Sequence, residues 1–72
     1  MQSINHQESI FVSTPETVFP VLGAGTVTLE VNTGDDGWQP VKNLTEPYRL
    51  DFNPGTEWRV TLTNDAKCYR KI

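Results

Sequence analysis

Cysteine and histidine each occur once in this chain, and no Lys or Arg occurs before position 42. The lone thiol, Cys68, excludes a disulfide within the chain. It reads as a small apolar side chain near a strand end, and its isolation fits synthesis in a reducing compartment. His6 is the only imidazole and Cys68 its only soft companion, so a His/Cys metal set is not expected. No stretch reaches the roughly 20 apolar residues that a membrane span needs. The opening Met1-Gln2-Ser3-Ile4-Asn5-His6-Gln7 has neither the basic patch nor the apolar run of a signal peptide, which points to a protein made in the cytoplasm. Helical patterns are missing as well. The runs between turn signals are short and filled with β-branched and aromatic residues.

What is present amounts to one small domain of 72 residues, 36% of them hydrophobic. A chain of this size buries only about 60% of its unfolded surface, so its core is marginal. With no disulfide and no metal to staple it, association with other chains is the expected support. The net charge of −3 speaks against a nucleic-acid partner. That charge is unevenly spread. Residues 1–41 hold Glu8, Glu16, Glu30, Asp35 and Asp36 and no cation; residues 42–72 hold Lys42, Arg49, Arg59, Lys67, Arg70 and Lys71 against four acids. The two halves meet either across copies of the molecule or within its own sheets.

Residues 1–8 are polar and aperiodic and read as an N-terminal arm, tied down by a neighbour; residues 9–72 read as a single β-sandwich domain. Ile10-Phe11-Val12 is a short apolar run. Thr17 to Leu22 follows, with Pro20 demoting it to an edge strand or an irregular segment. Thr26 to Asn32 alternates completely, Val27, Leu29 and Val31 against Thr26, Thr28, Glu30 and Asn32, as a strand with one face on a core must. Thr33 to Gly37 is a glycine-rich loop, and Trp38 to Leu44 is the return strand, with Pro40 marking an exposed edge. Tyr48, Leu50 and Phe52 form a second alternating set and Trp58, Val60 and Leu62 a third. Asn53-Pro54-Gly55-Thr56 carries the type II turn signature. Such a turn suits a tight hairpin poorly, so the chain is expected to cross between sheets there. Asn64-Asp65 turns the chain into a last strand, Cys68 to Ile72. The fold class is therefore all-β, a small antiparallel sandwich or barrel of about six to seven short strands. Its expected core is Val27, Leu29, Val31, Tyr48, Leu50, Phe52, Trp58, Val60 and Leu62.

Candidate chemistry is sparse. Asp35 and Asp36 lie in a glycine-rich loop, but Gly34 and Asn43 stand where calcium ligands of an EF-hand belong, so the loop reads as a solvated turn. No pattern suggests the apolar pocket that splits the pKa values of a catalytic carboxylate pair. His6 is the only base available to activate a hydroxyl or thiol. Asn43-Leu44-Thr45 matches the glycosylation sequon, which carries no weight without a secretory signal. Tyr48, Phe52 and Trp58 alternate with aliphatics and read as core rather than as a base-stacking platform. Trp38, at a strand start, and Tyr69, between Lys67 and Lys71, read as interface anchors. Ile4, Ile10 and Phe11 are the apolar residues with which the arm region would make contact. No catalytic, cofactor-binding or metal-binding residue is assigned.

Gly25-Thr26-Val27-Thr28-Leu29-Glu30-Val31, Gly34-Asp35-Asp36-Gly37-Trp38, Pro40-Val41, Tyr48-Arg49-Leu50 and the stretch Pro54 to Thr63 together resemble small β-sandwich virion proteins of tailed bacteriophages. The resemblance covers residues 25–63. Its loop departs from the family's D-G-G-x-x-W type, being Gly-Asp-Asp-Gly-Trp and shorter before the tryptophan. It implies a non-enzymatic structural role in decorating a head, building a fibre or sealing a junction. It further implies a homo-oligomer, a trimer among the options, bound to a larger virion protein after assembly in the host cytoplasm. Neither nucleic acid nor membrane is an expected partner. Two other classes remain open: a small acidic phage inhibitor of a host protein, and a surface- or carbohydrate-binding module.

Overall fold

A computed structural model describes residues 1–71. Every regular element in it is a strand: β1 (Gln2–Ile4), β2 (Glu16–Val21), β3 (Val27–Asn32), β4 (Trp38–Asn43), β5 (Tyr48–Leu50), β6 (Glu57–Leu62) and β7 (Lys67–Arg70). They form a four-stranded sheet of order β1-β7-β2-β5 and a three-stranded sheet of order β4-β3-β6. All neighbours are antiparallel. The two layers give a sandwich 17 Å along its shortest axis, as two sheets packed about 10 Å apart require. Ile72, the expected end of the last strand, lies outside the described residues.

The core is fed from both layers. Ile4, Val18, Leu50 and Cys68 come from the four-stranded sheet and Val27, Leu29 and Val60 from the three-stranded one; Ile10, Val12, Leu44 and Ala66 close it from the connections. The alternation of β3 holds, with Val27 and Leu29 buried and Thr28 and Glu30 half-exposed. Tyr48, Phe52, Trp58 and Leu62, all expected in the core, are half-buried and packed against its margin, and Val31, also expected there, is half-buried. Seventy-odd residues supply too little chain to cover the rim of two sheets, so large side chains there stay partly wet.

The turn between β5 and β6 is the expected one. Gly55 has φ +84°, the Thr56 N–H donates to the Asn53 carbonyl at 3.0 Å, and the chain passes there from one sheet to the other. Gly25 is needed for a different reason: a Cβ at this position would overlap the Thr63 carbonyl oxygen. That close approach lets Thr26 N–H donate to Thr63 Oγ1 at 2.8 Å.

Two expectations change. β2 is not an edge strand, since it lies between β7 and β5. Its pairing with β5 ends at Val18, so one side of β2 is unpaired by Pro20, where proline is tolerated. Residues 1–8, expected to be an arm held by a neighbour, are held by their own chain. β1 pairs with β7, Ile4 opposite Cys68. The chain then runs along the free edge of β6: Gln7 N–H donates to the Val60 carbonyl at 2.8 Å, and Ile10 and Trp58 exchange hydrogen bonds at 2.7 and 3.0 Å. An open β6 edge would offer a row of unpaired groups for aggregation, and this segment covers it.

Candidate functional site

The five residues singled out as contacts separate once the strands pair. Ile4 and Ile10 are each 3% exposed and belong to the core, which corrects their assignment to an interface. Ile4 lies on the inner side of β1, and the Ile10–Trp58 bridge draws Ile10 beneath β6. Phe11, between two inward residues, points outward and is 62% exposed. Trp38 is half-buried on the outer side of the three-stranded sheet, with the Arg59 guanidinium 4.4 Å from its ring centroid, a cation–π arrangement. Tyr69 is half-buried on the outer side of the other sheet.

Tyr69 has company there. Val18, Leu50 and Cys68 turn into the core, so strand alternation sends Phe19, Val21, Arg49, Lys67 and Tyr69 to the opposite side. Phe19 pairs directly with Tyr69 and Val21 with Lys67. Val21 is 53% exposed. The sequence reading missed Phe19 because Pro20 interrupts β2. The alternation of Thr17, Phe19 and Val21 against Glu16 and Val18 was the available signal.

The charges sort by sheet. Glu16 makes a two-point pair with Arg70, Oε1 to Nε at 2.7 Å and Oε2 to Nη2 at 3.2 Å. Glu30 accepts from Arg59 Nε at 2.9 Å and from the Thr61 hydroxyl. The acidic first half and basic second half thus meet within one molecule at these two places. Thr61 first, and then Arg59, hold the Glu30 carboxyl below its ordinary value against the opposing cost of burial. The Lys42 ammonium lies 4.8 Å from the centroid of Tyr48, and Arg49 meets Asp51 at 3.4 Å on the surface. Lys67 and Lys71 are exposed and have no ion-pair partner among the described residues.

Groups able to do chemistry are occupied or scattered. His6 Nδ1 accepts the Leu62 N–H at 3.0 Å, so the ring caps the β6 backbone. Cys68 is 0% exposed, and burial pushes its thiol up to about 11, away from the thiolate that a nucleophile needs. Both line a cleft of about 360 Å³ between β1, Leu62 of β6 and the first part of β7. A second cleft of about 430 Å³ has Leu22, Val27 and Leu44 as its apolar lining. Asp35 and Asp36 are exposed in the β3–β4 loop. Among the described residues, no group of three or more His, Cys, Asp or Glu side chains is placed to hold a metal ion. No family model, no curated protein and no solved structure matches this chain.

Proposed function

We propose that this chain is a non-enzymatic structural protein that works by packing against other protein surfaces, and specifically a small capsid-decorating or accessory component of a tailed-phage virion. The observation that carries the packing role is the outer face of the four-stranded sheet. It presents Phe19 beside Tyr69, both half-buried, with the exposed Val21 and two exposed lysines that have no ion-pair partner among the described residues. Aromatic residues surrounded by polar ones characterise contact surfaces. The virion assignment rests on the resemblance of residues 25–63 to phage β-sandwich proteins. The free thiol, buried and protonated, is compatible with assembly in a reducing cytoplasm.

Quantitative mass spectrometry of purified particles of the phage that encodes the chain tests the assignment. Many copies per particle are expected. Absence from the particle, together with a one-to-one complex with a soluble host protein, would replace it with the inhibitor reading.

A further inference from the structure

Phe19, Val21 and Tyr69 share the outer face of the four-stranded sheet with Arg49 and Lys67. Arg70 reaches Glu16 on the other side; Lys71, just past the end of β7, still donates its N–H to the Thr17 carbonyl at 3.3 Å, so the ladder's alternation continues one residue and brings Lys71 to this face as well. Of the three cations here, Arg49 meets the exposed Asp51, and both lysines are unpaired among the described residues. The rest of the surface has the opposite sign. Glu8, Asp35, Asp36, Glu46 and Asp65 are all exposed, while Arg59 and Arg70 are spent on internal pairs and Lys42 lies against Tyr48. One basic, aromatic face therefore stands on an acidic protein of net charge −3.

A surface complementary to that face exists on the chain itself. The β3–β4 loop carries Asp35 and Asp36 side by side between Gly34 and Gly37. A Cβ added to either glycine would meet nothing within 4 Å, so the loop stands clear of the body. Thr33 N–H donates to the Gly37 carbonyl at 2.9 Å, and Gly37 N–H to the Gly34 carbonyl at 3.1 Å, which fixes its shape.

We propose that the outer face of the four-stranded sheet docks a second copy of this chain, whose acidic β3–β4 tip meets Lys67 and Lys71 while Phe19 and Tyr69 supply the apolar contact. This rests on the assembly role proposed above and names its surface. The contact is head-to-tail, so repetition closes into a ring or extends as a filament. Charge complementarity selects the second copy over a nucleic-acid strand. A strand has to continue past the face, onto a surface where acids outnumber bases.

Sedimentation of the full chain at low and high salt tests this, using wild type, K67E/K71E, D35K/D36K and an equimolar mixture of the two variants. All four positions are exposed, and circular dichroism confirms that each variant folds. Wild type is expected to associate, less so at high salt. Each variant is expected to associate about tenfold more weakly or worse, and the mixture to recover association, because reversed faces meet reversed tips. If wild type and both variants sediment alike, the docking is overturned. If wild type is a monomer that binds purified particles and K67E/K71E does not, the face serves a shell protein; self-docking falls and the assembly role stands. A wild type that is monomeric and fails to bind particles overturns both. If the face instead retains a single-stranded oligothymidylate that K67E/K71E releases, a polyanion replaces the second copy.

Discussion

Leu29 and Val60 lie opposite each other on β3 and β6, both fully buried. Leu29→Ala is expected to cost about 2–5 kcal/mol, a large share of what a domain this size has. In urea unfolding the midpoint should fall while the slope is unchanged. Val41→Ala, on an exposed edge position, should stay within about 0.5 kcal/mol. Cys68 sits opposite Ile4 on one neighbouring strand and Pro20 on the other. Burial raises its thiol from 9.0 to about 11. Between those values the unfolded chain loses the proton while the folded chain keeps it. Cys68 thus adds a loss of stability as pH rises from about 9 to about 11. Cys68→Ala should flatten that part of the urea-midpoint profile. A disulfide reagent at pH 8 should label Cys68 in urea and leave it untouched in the native protein. Rapid native labelling would show the site to be open.

Edges and ladders decide more than single residues do. The β6 edge is closed by residues 6–10 and the β7 edge by β1. Removing residues 1–8 takes away Ile4, the β1–β7 ladder and the His6 cap together. The truncated chain should lose at least the roughly 2–5 kcal/mol of one buried isoleucine, read as a lower melting temperature by circular dichroism. An unchanged melting temperature would mean that the segment is a passive tail. On the outer face of the other sheet, Trp38, Arg59, Glu30 and Thr61 form one polar row. Glu30 is held below its ordinary 4.5, so the folded chain keeps it ionised where the unfolded chain takes up a proton. Its contribution is complete above the unfolded value and disappears as pH falls through the folded one. Thr61→Val removes the largest cause of the shift, so wild type should exceed the variant near neutral pH and the gap should close in acid. A gap independent of pH would assign the effect to packing. The open β4 edge is protected differently, by Pro40, Lys42 and a register shift opposite Leu29 and Glu30, all devices that discourage strand addition.

Across the whole molecule, neither sheet can bury its inner side without the other. Unfolding should therefore be one transition, with tryptophan fluorescence from Trp38 and Trp58 and far-ultraviolet circular dichroism giving coincident urea curves. Separate midpoints would mean that the layers unfold independently. Much of this architecture was legible beforehand, because alternation and turn chemistry are local. Val27-Thr28-Leu29-Glu30 shows which face of β3 is inward, and Pro54-Gly55 shows where the chain changes sheets. Burial at Ile4 and Ile10 was not legible, since it depends on β1 meeting the last strand and on Ile10 meeting Trp58, contacts between distant parts of the chain. The face shared by Phe19 and Tyr69 was hidden for the same reason: each lies in its own short strand, and only the β2–β7 register sets them side by side. Residue pattern alone thus determined the all-β class, the turns and the inward positions of the clearly alternating strands, Val27, Leu29, Leu50 and Val60. Tertiary pairing decided which apolar residues were consumed by the core, which charges cancelled internally, and which basic and aromatic side chains share the outer side of one sheet.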